Sequence, residues 1–499
     1  MKRESYNVYD FGATGVAVAA ETLTLENFQY EWLFYQEGTQ ATIYRAKAGA
    51  EYDSIGIQKA IDCAHSNGGG TVLVPAGDYL IGPIKLKSSV RLQLEPGARL
   101  WGSPDIEDYA LPAGDTIPPY TLSNGYNRAS EGLDRDFRRL FSANNAHDLS
   151  IVGAGQISAQ SPAFVIPWLN SQPNNLLTLY RPQDTFIFYQ CENVQLQGIQ
   201  IRDTPSWSIV FDTCVGVQVH AIKLDAFKII NSDGIDLVNS SKVTISDCHL
   251  NCTDDAICLK NTVPDATMGQ IAVSNCVLRT LCNGFKIGTD SVGHFEDVTL
   301  NNLIIKIPDD EVGGDRGGIN INALDGGTIK NINISNVVMH NVYCPFYFYA
   351  NARTGPQEAL GLEKRPGKIQ NVTLTNIIAE GTRYPCYIVG HPEQPITGIY
   401  ISNINCTKQH DFYSEPPASP VPEVPDVYPT PFIFGTRDTG DQLPAHGLYL
   451  RAVEDATIRD FKVTSLDYDC RNVFFQESCD QIETSGLKAR CALDLVLSQ

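Results

Sequence analysis

The chain has 499 residues, a formal net charge of −20 and 43% hydrophobic residues. This composition is typical of an ordered protein, and the negative charge argues against nucleic acid or an anionic membrane surface as a partner. The sequence holds no uninterrupted apolar stretch of about 20 residues, so we expect no membrane-spanning helix.

The N-terminal region, residues 1–80, is expected to close one end of the fold. Residues 54–66 carry an amphipathic helical pattern that ends before the glycines at 68–70. A stack of repeated turns exposes an apolar end that needs a cap, and this helix is the candidate. Residues 14–50 are interpreted as an insertion. Because the first residues lack the apolar core of a signal peptide, we expect a cytoplasmic protein or one whose leader is removed.

The middle of the chain repeats one pattern, in which an apolar-polar-apolar strand is followed by Asn, Asp or Gly and a second short apolar strand. The early copies are spaced roughly 23 to 28 residues apart, which is the range of solenoid turns. Asparagine at the corners tolerates left-handed backbone and can hydrogen-bond along the stack. The copies begin at Asn193, Gly216, Lys242, Gln270, Asp297, Asn331, Asn371 and Gly398.

This recurrence predicts an all-β fold, a single-stranded right-handed parallel β-helix with three short strands per turn and an N-terminal helical cap. We expect one domain over residues 1–499, with its core at 81–410 and a loop insertion and C-terminal turns at 411–499. A generic β-sandwich is the alternative, and the repetition argues against it. Interruptions at 351–366 and 408–446 are rich in Pro, Gly and charge, and loops of that length often shape a site.

The 14 cysteines recur in one setting, after Asn or Asp and close to apolar residues, as at Cys248, Cys252, Cys276 and Cys406. This placement predicts small buried side chains stacked in a ladder more than a disulfide framework. The histidines are scattered without metal-ligand spacing. We therefore predict no metal and no cofactor. As a separate expectation, the protein is a monomer.

Two acid-bearing segments, which contain Asp233 and the pair Asp254 and Asp255, lie about one repeat apart. Residues one turn apart stack about 4.8 Å from each other, so the three carboxylates are expected to crowd one patch. Like charges at that range raise the pKa of at least one member. One protonated acid beside ionised ones is what the hydrolysis of a glycosidic bond requires.

The adjacent residues Asp254 and Asp255 can act together only if the local backbone allows it. Adjacent residues of a strand point to opposite faces, so Asp254 and Asp255 can share a cleft only where the strand ends or bulges.

An ordered set of segments carries a resemblance that covers roughly residues 6–405. The segments are residues 8–15, 57–62 and 68–79, Arg181-Pro182, the stretch at Trp207, residues 231–233 and Asp254-Asp255. On these segments the chain resembles the polygalacturonases and related pectinases of glycoside hydrolase family 28.

The resemblance implies an inverting hydrolase of pectic or other acidic plant polysaccharide or oligosaccharide. Asp254 would be the general acid, and Asp233 and Asp255 would hold and activate the attacking water. Inversion needs the two working carboxyl groups about 6.5–9.5 Å apart, and one turn plus a side-chain offset gives that order of distance.

The candidate substrate-binding residues are Asn231, Asn283, Lys286 and Arg316. Asn283 stands where the family has the His of its Gly-His-Gly segment. Arg316 aligns best with the Arg of the family's Arg-Ile-Lys segment, whose two cations hold a uronic acid carboxylate, but the Lys has no counterpart there. Either Lys286 supplies the second charge from the neighbouring turn, or the sugar is not a uronic acid. Asn231 is either a corner residue or one that orients a carboxylate.

Several functions follow from these observations. The first is a polygalacturonase-like hydrolase, expected to be exo-acting because the long insertions could wall off one end of the cleft. The second is a rhamnogalacturonan-type hydrolase of the same family, whose members also lack the His. A β-helical polysaccharide lyase and a non-enzymatic carbohydrate-binding β-helix are the remaining alternatives, and the three retained acids argue against the lyase.

Overall fold

The computed structural model describes residues 5–16, 18–26, 36–109, 138–171, 181–226, 229–308, 316–409, 421, 430–431, 435–436, 440–441 and 443–491. These residues form two compact units, unit 1 up to Ala256 and unit 2 from Ile257 onwards. The single domain expected from the sequence stays a prediction.

The described part of unit 1 contains two 3-10 helices, Val8–Phe11 and Ile106–Tyr109, and two α-helices, α1 (Ser54–Ser66) and α2 (Pro162–Asn170). Its strands are β1 (Ser5–Asn7), β2 (Val18–Thr24), β3 (Gln40–Ala46), β4 (Gly70–Val74), β5 (Gly77–Ile81), β6 (Ile84–Leu86), β7 (Val90–Leu94), β8 (Ala98–Gly102), β9 (Arg139–Asn144), β10 (His147–Gly153), β11 (Gln156–Ser158), β12 (Asp184–Tyr189), β13 (Glu192–Gln197), β14 (Gln200–Arg202), β15 (Trp207–Asp212), β16 (Val215–His220), β17 (Lys223–Asp225), β18 (Ile235–Val238), β19 (Ser241–Ser246) and β20 (His249–Asn251).

The strands of unit 1 coil in successive turns of three, and each strand pairs in parallel with its equivalent one turn later. Thus β13 pairs with β16 and β16 with β19, β14 pairs with β17 and β17 with β20, and β12 pairs with β15 and β15 with β18. The register aligns like with like, as in the buried row Val194, Val217 and Val243. The apolar alternation therefore becomes rows of buried side chains inside the coil.

Helix α1 covers the first turns of unit 1. Its buried residues Ile57, Ala60, Ile61 and Ala64 follow the helical period and form the face that contacts β4, β6 and β7. This is the capping helix that the sequence predicts.

The segment interpreted as an insertion contains an antiparallel hairpin of β2 and β3. The chain around the hairpin packs on α2, because Leu25 joins an apolar cluster with α2 and with Ile229. Ile229 lies two residues before Asn231, so this cluster supports the start of the first acid-bearing segment. The cluster consists of Leu25, Val165, Ile166, Trp168, Leu169 and Ile229.

Unit 2 contains one described α-helix, α3 (Thr354–Ala359). Its strands are β21 (Ile257–Asn261), β22 (Thr267–Ser274), β23 (Val277–Arg279), β24 (Asn283–Ser291), β25 (His294–Lys306), β26 (Gly317–Ala323), β27 (Thr328–His340), β28 (Cys344–Ala350), β29 (Lys368–Thr382), β30 (Cys386–Val389), β31 (Ile396–Lys408), β32 (Gly435–Thr436), β33 (Gly440–Asp441), β34 (Ala445–Arg451), β35 (Val453–Ser465), β36 (Asn472–Glu477), β37 (Asp480–Ser485) and β38 (Lys488–Cys491).

In unit 2 most turns have two strands instead of the predicted three. The strand β25 pairs with both β22 and β23, so one long strand takes the place of two short ones. It bends without breaking at Asn302, whose φ of 57° is left-handed. The same holds for β27 at Asn336, β29 at Asn376 and β31 at Asn403. A single left-handed residue turns the chain through the corner while the pairing on either side continues.

The corner asparagines of unit 2 bond from turn to turn, as the sequence predicts. The Nδ2 of Asn336 donates to Asn301 Oδ1 at 2.9 Å, and Asn376 donates to Asn336 at 3.0 Å. Asn403 then donates to Asn376 at 2.9 Å. We call Asn301, Asn336, Asn376 and Asn403 the amide row.

The cysteines that the sequence analysis names are buried, as the predicted ladder of small side chains requires. Thirteen described cysteines are free thiols, and Cys248, Cys252, Cys276 and Cys406 are all buried. Among the described residues, the structure contains no helix with the length and apolar character needed to span a bilayer.

Candidate active site

In unit 1 the two acid-bearing segments lie side by side. The amide of Gly234 donates to the main-chain oxygen of Asp255 at 2.9 Å, and that of Ile235 donates to Ala256 at 3.0 Å. This parallel pairing places Asp233 beside the second segment. Asp233 and Asp255 are buried, with 4% and 2% of their surface exposed.

Asp254 and Asp255 converge. A carboxylate oxygen of one lies within 4.8 Å of a carboxylate oxygen of the other. Both residues lie in the bend after β20 and before Ile257, where the alternation of a strand does not apply. The condition that the sequence sets for a shared cleft is therefore met. The amide of Asp255 also donates to Asp254 Oδ1 at 2.9 Å, which fixes one oxygen of the half-buried Asp254 carboxyl.

Asn231 contacts the pair from the neighbouring turn. Its φ of 57° is left-handed, and its Nδ2 donates to Asp254 Oδ2 at 3.4 Å. Its Oδ1 accepts from Arg181 Nη2 at 3.2 Å. Asn231 is thus a left-handed corner residue whose side chain also touches a carboxylate.

The remaining predicted residues lie in unit 2. Asn283 begins β24 and is fully buried, and its Oδ1 accepts from the hydroxyl of Tyr347 at 2.6 Å. Lys286 follows on the same strand, buried and in register with Asn320 of β26. The structure thus brings Asn283 into a polar contact with Tyr347, which lies two strands further along the same sheet.

Arg316 lies directly before β26 in a left-handed conformation with φ of 57°. Its amide donates to Leu281 O at 3.0 Å, and its guanidinium carbon lies 4.9 Å from the centre of the Tyr343 ring. Arg383 faces the same ring at 4.4 Å. The main-chain bond to Leu281 therefore holds Arg316 near the start of β24, and the cation–π contact holds its guanidinium against the Tyr343 ring.

Two further amides of β26 escape the sequence analysis. Asn320 and Asn322 are fully buried and alternate with Ile319 and Ile321, so both lie on the strand face opposite the apolar core. The Nδ2 of Asn320 donates to the Tyr347 hydroxyl at 2.8 Å. The signal that could have revealed them is the alternation Asn-Ile-Asn, which repeats an amide on one face.

Tyr343, Tyr347 and Tyr349 form part of an aromatic stretch, and aromatic rings of this kind can stack on sugar rings when they are exposed. In unit 2 all three side chains are buried in a cluster with Val421 and Leu443, so they offer no exposed stacking surface in this structure. The long interruption near the C-terminus supplies part of this cover.

A second contact shows the same covering segment. The hydroxyl of Tyr387, which is in register with Tyr347, donates to Thr430 O at 2.8 Å. One guanidinium nitrogen of Arg451 donates to Val421 O at 2.9 Å. The tyrosine face of β28, β30 and β34 is therefore overlaid by residues of the chain between β31 and β34.

The family model described as glycosyl hydrolases family 28 matches residues 65–414, which is more than half of the chain. The chain belongs to this family. Its members hydrolyse glycosidic bonds, so the protein is a glycoside hydrolase.

Family 28 relatives are distant in sequence. A probable polygalacturonase of Vitis vinifera is 24% identical over 351 residues, covering 68% of this chain and 67% of that protein. A polygalacturonase of Malus domestica is 25% identical and is covered over 66% of its length. The chain thus spans about two thirds of the curated relatives that it matches.

Solved structures of family 28 share the fold. An exopolygalacturonase from Yersinia enterocolitica aligns with a TM-score of 0.66 at 17% identity, covering 97% of this chain and 79% of that chain. A hyperthermoactive exopolygalacturonase from Thermotoga maritima aligns with a TM-score of 0.60 at 20% identity, covering 81% and 87%. The predicted right-handed parallel β-helix is confirmed.

Proposed function

We propose that the protein is an inverting, exo-acting hydrolase of pectic polysaccharide or oligosaccharide. The observation that carries hydrolysis is the convergence of Asp254 and Asp255 in a bend that pairs with the segment of Asp233. Oxygens within 4.8 Å are closer than the acid and base of an inverting enzyme, so inversion is proposed from the resemblance to family 28. Three carboxylates on adjacent turns are the groups that acid–base cleavage of a glycosidic bond requires.

In this proposal Asp254 is the general acid. Two carboxylates within 4.8 Å repel each other when both are ionised, and this repulsion favours a proton on one of them. Asp254 is more exposed than its neighbours, which suits the residue that reaches the glycosidic oxygen. It donates its proton to the leaving alcohol as the bond to the anomeric carbon breaks.

Asp233 and Asp255 are proposed to act on the attacking water. A buried ionised carboxylate accepts a proton from the water as the oxygen of that water bonds to the anomeric carbon. The new bond forms on the face opposite the one that breaks, so the configuration inverts. No covalent sugar–enzyme intermediate forms in this scheme.

Asn283, Lys286 and Arg316 are proposed as substrate-binding residues. Support comes from the cations Lys286 and Arg316, which suit an anionic sugar. Exo-action is supported by the overlaid tyrosine face of unit 2, because a covered face cannot accept a long continuation of the polymer.

A rhamnogalacturonan-type hydrolase is the second candidate, and the residue at position 283 favours it. Asn283 stands where the polygalacturonases have a His, and the rhamnogalacturonan-type members that the chain resembles also lack that His. An amide is neutral and has both a donor and an acceptor, so it suits the hydroxyls of a neutral sugar.

Product analysis on oligogalacturonides and rhamnogalacturonan oligosaccharides tests the proposal. We expect stepwise release of one sugar from one panel, with inversion visible in the anomeric proton signals of the first product. Asp254→Asn removes the transferable proton and should lower kcat by about 10²–10⁴-fold. The matched control is Asp480→Asn, an exposed aspartate of unit 2 that should keep full activity.

Four outcomes separate the candidates. Random products of middle length would exclude exo-action, and a retained anomeric configuration would exclude inversion. Cleavage of the rhamnogalacturonan panel alone would select the second candidate. No cleavage of either panel would remove the pectic substrate from the proposal.

A further inference from the structure

The guanidinium of Arg181 lies deep in unit 1, with 1% of the residue exposed. Its Nη1 donates to the main-chain oxygens of Pro205 and Ile230, both at 2.8 Å. Its Nη2 donates to Asn231 Oδ1 at 3.2 Å. Since Asn231 donates in turn to Asp254 Oδ2 at 3.4 Å, a chain of contacts joins this buried cation to the proposed general acid.

The chemistry of these groups fixes the direction of the chain. A guanidinium has only donors, so the Asn231 atom that faces Arg181 must be the carbonyl oxygen. The amide nitrogen is then left on the side of Asp254, whose oxygens accept. The contact with Arg181 therefore determines that the amide nitrogen of Asn231, and not its oxygen, faces the carboxyl of Asp254.

Asn231 needs such an anchor. It is exposed and left-handed, so its side chain has little packing to hold one rotamer. The Ile230 contact of Arg181 fixes the backbone directly before it. On the other side, the hydroxyl of Thr253 donates to Ile229 O, which ties the same segment to the residue before Asp254.

We propose that Arg181 is a positioning residue for catalysis, which acts through Asn231 to hold the carboxyl of Asp254 in the orientation that delivers its proton. The proposal rests on the proposed role of Asp254. One oxygen of that carboxyl is fixed by the amide of Asp255 at 2.9 Å, and Asn231 fixes the other. With both oxygens held, the plane of the carboxyl is set before substrate arrives.

A double-mutant cycle in kcat tests the proposal. The variants are Arg181→Lys, Asn231→Ala and the two combined, assayed on the oligosaccharide panel that the wild type cleaves. We expect each single variant to lower kcat about 10- to 100-fold with KM within about twofold, because a misplaced catalytic group slows chemistry more than binding. If Arg181 acts through Asn231, the combined loss should be close to the larger single loss.

Losses that multiply in the double variant would overturn the proposal, as would a rise in KM without a fall in kcat. Two controls separate positioning from folding. Arg202→Lys changes an exposed arginine of unit 1 that pairs with Asp203 at 3.1 Å, and kcat should be unchanged. Val243→Ala shortens a buried core residue, so it should lower Tm while kcat is kept.

A crystal structure of the Arg181→Lys variant gives a readout that needs no substrate. A lysine cannot reach three acceptors with the planar fork of an arginine, so we expect the amide of Asn231 to leave Asp254. An unchanged contact between Asn231 and Asp254 would overturn the positioning role. This result stands apart from the proposed function, which fails if the wild type cleaves neither panel.

Discussion

Asp212 is a buried carboxyl in β15, and its surroundings set how it titrates. Burial raises its pKa to about 6, against the lowering effect of hydrogen bonds from Thr213 at 2.9 Å and Asn239 at 3.4 Å. Only 1% of the residue is exposed, so solvent screens it little. The folded protein thus binds this proton more tightly than the unfolded chain does.

This residue makes unit 1 less stable as the pH rises. The stabilisation from Asp212 is complete below its unfolded pKa near 4 and is lost as the pH passes through about 6. The loss amounts to roughly 3 kcal/mol between pH 4 and pH 7. We expect Asp212→Asn to flatten this decline, measured as the difference in the free energy of unfolding between pH 4 and pH 7. An equal decline in wild type and variant would contradict the assignment.

The residue scale also shows what the sequence could predict about the site. The adjacent acids Asp254 and Asp255 are visible in the sequence, and their convergence depends only on the local bend. Arg181 acts on Asn231 from 50 residues away, and no local pattern announces the buried position that its role requires. The burial of Tyr347 was equally hidden, because it depends on a segment from another part of the chain.

At the scale of elements, the amide row governs the corners of unit 2. Asn336 and Asn376, in the middle of the row, each donate to the turn before and accept from the turn after, while Asn301 accepts and Asn403 donates at its ends. Three of the four, Asn336, Asn376 and Asn403, also hold left-handed backbone, which asparagine adopts at lower cost than most residues. These three positions therefore require both a side-chain amide that can form hydrogen bonds and a residue that tolerates left-handed backbone.

Two substitutions of Asn336 separate these contributions. Asn336→Gly loses the two side-chain hydrogen bonds but accepts φ of 57°, so we expect a loss of about 1–2 kcal/mol of unfolding free energy. Asn336→Ala loses the bonds and adds about 1–2 kcal/mol of left-handed strain. Urea unfolding checks the order, and an alanine variant as stable as the glycine variant would contradict it. Asn405→Ala, at an exposed site of β31, is the control.

The strands and corners could be predicted from the sequence because each depends on a pattern of a few neighbouring residues. Period-two alternation placed the strands, and asparagine after each strand placed the corners. The sequence did not predict that β25 would replace two strands, because a bend at one left-handed residue and a break between strands leave the same pattern of side chains.

At the scale of the molecule, the chain is rich in cysteine, with 14 in its sequence, yet thirteen of the described cysteines are free thiols. Stability must then come from the buried rows and the main-chain ladders of the two units. We expect a thiol reductant to leave Tm unchanged within about 1 °C, since a structural disulfide would contribute about 2–4 kcal/mol. Calorimetry with and without reductant checks this, and a clear fall in Tm would reveal a bond that this structure does not contain.

The amide row has a consequence for how such a protein changes over evolutionary time. Because the inner members use the same donor and the same acceptor, the row has no preferred length. A duplicated repeat could enter it with its own asparagine and leave no interior group unmatched, and a deleted repeat would close the row again. Coils built in this way can gain or lose a whole turn in one genetic event, and the length of the binding face can vary while the corner chemistry stays the same.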